Sequence, residues 1–196
     1  MNIVEKAESV FEKYKKIATH PHKQDVFDHL INTAICAGEI AKVSGLDADR
    51  AYSMGLLHDI AKYRECFLRH GLEGYEILKE EGFDEEFSRI AITHLYILKN
   101  GENYLDNLTD LSKEEFDDEI RFVNSFEYTD YDKLLQLSDI IGMHTGCCML
   151  EKRLVDVMIR HGANKYYPIF CKTVLDLKKY FDEKSGINVY SVIPNI

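Results

Sequence analysis

A chain of 196 residues with 45% hydrophobic and 30% charged residues has the size and composition of one ordinary globular domain. Its formal net charge is −10 and no Lys/Arg cluster stands out, which argues against binding to a nucleic-acid polymer. No apolar run approaches the roughly 20 residues that span a bilayer, and the N-terminus lacks the apolar core of a signal peptide, so we expect a cytoplasmic protein that contacts no membrane.

Apolar residues recur at helical spacing along most of the chain. The predicted helices cover residues 2–18, 26–43, 48–63, 70–81, 84–98 and 131–144, with C-terminal helices at about 149–185. The polar, acidic segment 99–128 is either an excursion with one short helix or a lid. The tail 186–196 is rich in β-branched residues and is predicted to lie extended against the body. One all-α domain over residues 1–196 is the fold that these patterns predict.

Several histidines and aspartates interrupt the apolar helical runs. They are His29, His58, Asp59, His94 and Asp139. Burying such side chains is unfavourable unless something pairs with them, and imidazole nitrogens and carboxylate oxygens are standard ligands of divalent metals. Each residue alone has an ordinary explanation as a hydrogen-bonded core histidine or a helix cap. Their joint occurrence over four predicted helices indicates a metal centre.

The order of these residues resembles the HD superfamily of metal-dependent phosphohydrolases, and its HDIG-like branch in particular. The resemblance rests on His29, on His58–Asp59 within GLLHDIAK, and on Asp139 within LLQLSDIIG, and it covers about residues 22–143. It implies a helical bundle in which these four side chains ligate a divalent cation: iron, manganese, cobalt, nickel or zinc.

Two further histidines lie between the HD pair and Asp139. Some branches of the superfamily similarly add histidines there, hold a second metal, and use the HD aspartate as a bridge. On that pattern His94, within RIAITHLY, is the better candidate ligand. His70 stands at a predicted helix start and is a ligand, a substrate contact or a residue of the cap region.

Several cations near the motifs are candidate catalytic or substrate-binding residues. Lys62 follows Asp59 by three residues, hence on nearly the same helix face. The similar HD-x-x-K pattern of related families places this lysine by the metal site, near the substrate's phosphate or a bridging oxygen. The alternative is a solvated lysine at a helix C-terminus. Arg64, Arg69 and Lys133 are weaker candidates for phosphate contacts.

The predicted function is hydrolysis of a nucleotide or another small phosphate ester by metal-activated water, with Asp59 and Lys62 as catalytic residues. The cation supplies the positive charge that an anionic protein otherwise lacks for such a substrate. Two alternatives remain open: a di-iron oxygenase on the same scaffold, and a regulatory module that binds a metal or nucleotide without turnover.

Two remaining features concern packing and oxidation state. The apolar stripe of the run EKRLVDVMIR, residues 151–160, predicts core packing or the face of a homodimer. Five cysteines without a CxxC pair predict reduced thiols, and the adjacent Cys147 and Cys148 are interpreted as ordinary packing or surface thiols.

Overall fold

The computed structural model describes residues 1–66, 68–99 and 110–194, and the fold is all-α as predicted. The helices are α1 (Ile3–Ile17), α2 (Lys23–Val43), α3 (Ala48–Leu57), α4 (His70–Glu80), α5 (Glu85–Ser88), α6 (Ile90–Thr93), α7 (Lys113–Asn124), α8 (Asp130–Ile141), α9 (Leu150–His161) and α10 (Tyr167–Ser185). Short 3-10 helices span Ile60–Tyr63 and Val189–Val192. A small antiparallel hairpin joins β1 (Gly142–Met143) to β2 (Gly146–Cys147).

The long helix α2 is the centre of the bundle. It packs against α3, α8 and the hairpin, while α1 covers the outer side of α3. Leu30 and Ile40 of α2, Leu57 of α3 and Leu134 of α8 are fully buried in the resulting core. Burial of such side chains stabilises the fold by about 1.5–3 kcal/mol each, so the main core fixes the relative positions of these three helices.

Local signals in the sequence explain where several helices begin. Asn2 and Glu5 form a capping box at the start of α1, and the side chain of Asp47, the N-cap of α3, accepts a hydrogen bond from the backbone amide of Arg50. Ser112 forms another capping box at the start of α7. The described part of segment 99–128 therefore contains one helix, and residues 100–109 lie outside the described residues.

A smaller apolar cluster lies beneath α7. Its buried residues are Ile92 of α6, Tyr96 just after α6, and Val123 of α7. They form a cluster separate from the main core. This cluster holds α7 against α6 and against the residues that follow α6.

The predicted helix boundaries are wrong at several places. The helix at 48–63 ends at Leu57 and continues as the 3-10 turn, and the helix at 131–144 ends at Ile141 because the extended hairpin begins at Gly142. The helix at 84–98 is two short helices, α5 and α6. Hydrogen bonds between residues three apart tighten the chain after Arg89 and again at Leu95.

The C-terminal tail also differs from its prediction. Instead of lying extended, residues 189–192 form a 3-10 helix, because the side chain of Asn188 accepts a hydrogen bond from the amide of Tyr190 and caps it. Tyr190 in turn donates from its hydroxyl to Glu151, which fastens the tail to α9.

Some residues of the apolar stripe of α9 pack in the core, and others remain exposed, as a homodimer face would require. Leu154 and Val157 are buried in the main core, whereas Val155, Met158 and Ile159 are 51%, 43% and 75% exposed. The homodimer thus stays a prediction. Among the described helices, none combines the length and the apolar character needed to cross a membrane.

Candidate metal centre

Four of the predicted ligands converge at the centre of the bundle. His29 comes from α2, His58 and Asp59 from the turn after α3, and Asp139 from α8; one ligand atom of each lies within 4.8 Å of the others. The Nε2 atoms of His29 and His58 lie 3.0 and 3.3 Å from Oδ1 of Asp139. They lie 3.7 and 3.5 Å from Oδ2 of Asp59. We call these residues the first ligand set.

Backbone carbonyls orient both imidazoles of the first ligand set. His29 donates from Nδ1–H to the carbonyl of Gly142, and His58 donates from Nδ1–H to the carbonyl of Gly55 at 2.8 Å. A carbonyl only accepts hydrogen bonds, so Nδ1 carries the proton in each ring. Nε2 of the neutral ring is then the lone-pair atom that faces the carboxylates, which is the arrangement of a metal-binding histidine.

The two glycines that supply these carbonyls lie where a side chain has no room. A Cβ atom at Gly55 would lie 2.7 Å from the Ala34 Cα, and one at Gly142 would lie 2.6 Å from the Thr33 backbone nitrogen. Both contacts are with α2, the helix that carries His29. The glycines therefore allow α3 and the hairpin to approach α2 closely enough for the histidines and carboxylates to meet.

A second group of side chains lies on the other side of Asp59. The Nε2 atoms of His70 and His94 lie 3.0 and 3.1 Å from Oδ1 of Asp59. His94 donates from Nδ1–H to the carbonyl of Ile90 at 2.9 Å, so its Nε2 also carries the lone pair. His70, His94 and Asp59 form the second ligand set, and Asp59 belongs to both.

Small residues also bring the second ligand set together. A Cβ atom at Gly74 of α4 would lie 3.0 Å from the Cβ of Ala91, and one at Gly71 would lie 3.2 Å from the Ala91 carbonyl oxygen. This close packing of α4 on α6 places the first residue of α4, His70, beside the residue that follows α6, His94. The two rings lie 5.6 Å apart between centroids.

The charge of a neighbouring lysine keeps Asp59 ionised. Burial would raise the pKa of Asp59, yet the ammonium group of Lys62 holds that pKa well below its usual value. Burial lowers the pKa of His70 to about 4, so this ring is neutral at physiological pH. Carboxylates and neutral imidazoles are the forms that bind metals.

Several buried polar atoms of the site have no hydrogen-bond partner among the described residues: Nε2 of His58, Nε2 of His94 and Oδ1 of Asp59. Buried polar atoms are almost always satisfied, because an unmade hydrogen bond costs about 1–3 kcal/mol. All three are lone-pair donors that face the interior of the cluster, and a bound cation would satisfy them together. The residues present therefore fit a divalent metal.

The other predicted site residues have varied surroundings. Lys62 Nζ lies 2.6 Å from Oδ2 of Asp59, and the attraction of that carboxylate, opposed by burial, raises the pKa of the lysine. Arg64 is paired with Glu73. Arg69 is paired with Glu115, and its guanidinium also donates to the Asp110 backbone carbonyl. Both arginines thus already hold acidic partners.

Lys133, the remaining candidate for a phosphate contact, lies in the first turn of α8, whereas Asp139 lies in its last turn. Its Nζ is 4.7 Å from the ring centre of Tyr180 and 3.9 Å from Asp130.

A buried ion pair behind His94 is absent from the sequence-based prediction. Arg89 donates from Nε to Oδ1 of Asp132 at 3.2 Å, and the hydroxyl of Thr93 donates to the same oxygen at 2.9 Å. Gln136 adds a hydrogen bond to the Thr93 carbonyl at 2.8 Å. This network ties α6 to α8. The signal in the sequence is an arginine directly before the apolar residues of the run RIAITHL.

The scaffold is helical and encloses a buried cluster of histidines and aspartates centred on an HD pair. These features define the class of this protein as a candidate metal-binding domain. Residues 26–139 match the family model described as HD domain, and the chain belongs to that family. The superfamily of HD domains is one of metal-dependent phosphohydrolases.

Curated relatives share part of the chain. Uncharacterized protein MJ0778 of Methanocaldococcus jannaschii is 36% identical over 90 residues, which are 43% of this chain and 53% of the relative. Ribonuclease Y of Thermotoga petrophila is 37% identical over 73 residues, 36% of this chain and 14% of that protein. Ribonuclease Y of Rhodopirellula baltica is 35% identical over 75 residues, 37% of this chain and 14% of that protein. The chain thus matches about half or less of each relative, and no solved structure matches it.

Proposed function

We propose that this protein hydrolyses the phosphate ester of a nucleotide or another small phosphorylated molecule, using two divalent cations held by the two ligand sets. One observation carries the proposal. The two oxygens of the buried Asp59 carboxylate face different groups of histidines, Oδ2 toward His29 and His58 and Oδ1 toward His70 and His94. A carboxylate in this position suits a bridge between two ions.

Divalent cations at such a site lower the pKa of a bound water and polarise a phosphoryl oxygen. The side chains of the protein orient the water and bind the substrate. Asp59 orients the attacking water by accepting a hydrogen bond from it. Lys62 places an ammonium group next to Asp59, where it can bind a phosphoryl oxygen of the substrate and stabilise the charge that develops there.

The exposure of the ligands indicates the side from which substrate enters. The side chains of His58, Asp59, His70 and His94 are at most 4% exposed, whereas those of His29 and Asp139 are 17% and 26% exposed. Lys62, at 31%, is also partly open to solvent. We place the mouth of the site where these three partly exposed side chains meet.

The net charge of −10 favours a small substrate over a polymer, because a long phosphate backbone requires an extended basic surface. The relatives named Ribonuclease Y nevertheless make a short RNA oligonucleotide the appropriate second substrate to examine. Cleavage of such an oligonucleotide with no release of phosphate from nucleotides would assign the site to phosphodiesters.

A di-iron oxygenase is the second candidate, since a carboxylate shared by two histidine sets suits redox-active iron equally well. Turnover with and without oxygen separates the candidates. Loss of substrate that requires oxygen, with no phosphate release, would contradict the hydrolase and support the oxygenase. Metal binding without turnover of any phosphoester would support a regulatory module.

The decisive experiment is elemental analysis of protein purified without oxygen, followed by a screen of nucleotides and a generic phosphodiester. We expect about two metal ions per chain, and near-complete loss of metal and activity in Asp59→Ala. Asp49→Ala is the matched control, because Asp49 is an exposed aspartate in the first turn of α3. Unchanged metal content and activity in Asp59→Ala would contradict the proposal.

A further inference from the structure

Two cysteine sulfurs meet outside the metal centre. The Sγ atom of Cys36 on α2 lies 2.7 Å from the Sγ atom of Cys147 in β2, and both thiols are free. The thiol of Cys147 also lies 3.8 Å from the backbone carbonyl of Asn32, one turn before Cys36. The two side chains therefore point at each other, with their sulfur atoms close enough to be joined in a disulfide.

The two thiols differ in exposure and acidity. Cys36 is fully buried in the core, whereas Cys147 is only partly buried. The hydrogen bond from the Cys36 thiol lowers the pKa of Cys147, and the same contact together with burial raises the pKa of Cys36. A partly exposed thiol of lowered pKa beside a buried thiol is the arrangement of an attacking and a resolving cysteine.

We propose that Cys36 and Cys147 form a reversible redox pair, which hydrogen peroxide oxidises to a disulfide that joins α2 to the hairpin. The inference concerns the thiols alone and does not depend on the proposed function. It revises the sequence-based interpretation of Cys147 as an ordinary packing or surface thiol.

The oxidation proceeds in two balanced steps. The Cys147 sulfur attacks one oxygen of the peroxide, the O–O bond breaks, and a sulfenic acid and one water form. The Cys36 sulfur then attacks the sulfenic sulfur, the S–S bond forms, and the hydroxyl group leaves with the Cys36 proton as a second water. Each sulfur loses one electron and the peroxide gains two.

The position of the pair links this oxidation to the metal centre. In the hairpin, Cys147 is the cross-strand partner of Gly142, whose carbonyl orients His29. Cys36 follows His29 by seven residues, two turns along the same face of α2. A disulfide would therefore fasten together the two elements whose contact sets the direction of the His29 ring.

Peptide mapping of the intact chain tests the proposal. After treatment with hydrogen peroxide, alkylation and tryptic digestion, we expect a cross-linked species that joins peptide 24–42 to peptide 134–152. Because the second peptide contains both Cys147 and Cys148, fragmentation between these residues must place the link on Cys147. Thiol titration under denaturing conditions should fall from the five cysteines of the sequence to about three per chain, and dithiothreitol should restore it.

Variants separate the pair from its neighbours. Cys148→Ser and Cys171→Ser should both keep the cross-link, whereas Cys147→Ser should lose it. The oxidised wild type should melt about 5 °C or more above the reduced protein, because the link closes a loop of more than 100 residues. A link through Cys148, oxygen adducts on Cys147 with Cys36 still reduced, or five unchanged thiols would each overturn the proposal.

Discussion

The two ligand sets that share Asp59 are supported by different parts of the molecule. The first set is carried by α2, the end of α3 and α8, which form the main core, and its histidines are fixed by carbonyls at positions that exclude any Cβ atom. The second set stands at the start of α4 and just after α6, a helix of four residues beside the smaller cluster beneath α7. Packing of the main core defines the first set, whereas the second set depends on the contact of α4 with the short α6, on a polar network and on one covering helix. We therefore expect the second set to be the more easily disturbed.

The Arg89–Asp132 ion pair is the strongest test of this difference. The Asp132 side chain is fully buried and the Arg89 side chain is 12% exposed. Removing one member of such a pair leaves an unpaired buried charge and destabilises the fold by about 3–5 kcal/mol. Arg89→Met should lower the free energy of unfolding by that amount in urea titrations. It should also release the metal of the second set before that of the first.

Arg160→Met is the matched control for the ion pair. Arg160 is 46% exposed and pairs with Asp156 on the surface of α9, and such pairs contribute about 1 kcal/mol or less. Equal effects of the two substitutions would show that Arg89 has no special role behind His94.

The glycine at the start of the hairpin tests the first ligand set. Gly142→Ala forces a Cβ atom to within 2.6 Å of the Thr33 backbone, so α2 and the hairpin must separate. We expect a loss of about 3 kcal/mol in the free energy of unfolding and weaker metal binding, because the His29 ring loses its anchor. Circular dichroism during urea unfolding and competition with a chelator measure the two effects.

Gly38→Ala should act in the opposite direction. Gly38 lies within α2, and the nearest atom to an added Cβ would be the Tyr52 Cβ at an ordinary 3.4 Å. Alanine is the better helix former, so this variant should gain about 0.5–1 kcal/mol. A loss of stability at both positions would mean that general crowding of α2, and not the hairpin contact, explains Gly142→Ala.

The long helices α1, α2 and α10 were predicted because apolar residues recur along them at helical spacing. The structure also brings His29, His58, Asp59 and Asp139 together, as the resemblance implied. Periodicity does not report on tertiary polar contacts, which is why the break at Arg89 within the predicted helix at 84–98 was missed. The sequence also does not show that His70 and His94 lie 3.0 and 3.1 Å from Asp59, because these distances depend on the close packing of Gly74 against Ala91.

A substitution at Lys62 tests whether this residue contacts the substrate or supports metal binding. Its ammonium group lies 2.6 Å from Oδ2 of Asp59, the oxygen that faces the first set, and a protonated lysine has no lone pair with which to ligate a metal. Lys62→Met should therefore keep the metal content while lowering kcat by about 100-fold, because a cation that stabilises the transition state is lost. Steady-state kinetics alongside elemental analysis provide the test. A parallel loss of metal would instead make Lys62 a structural partner of Asp59.

The pH dependence of Glu119 ionisation tests the packing of α7, the helix that covers the second ligand set. It is buried on α7, where the hydroxyl of Tyr96, two residues after His94, donates to its carboxyl group, and burial raises the pKa of Glu119 to about 7. The folded chain then keeps a proton between about pH 4.5 and 7 that the unfolded chain has lost. The contribution of this group to stability therefore falls as pH rises through that window.

Glu119→Gln imitates the protonated carboxyl group at every pH. It should match the wild type at about pH 5 and exceed its free energy of unfolding by about 1–3 kcal/mol at about pH 8. Glu114→Gln, an exposed position on the same helix, should leave the pH profile unchanged. Parallel profiles for wild type and Glu119→Gln would show that ionisation of Glu119 does not weaken the packing of α7. In that case a rise in pH would not weaken the surroundings of the second ligand set more than those of the first.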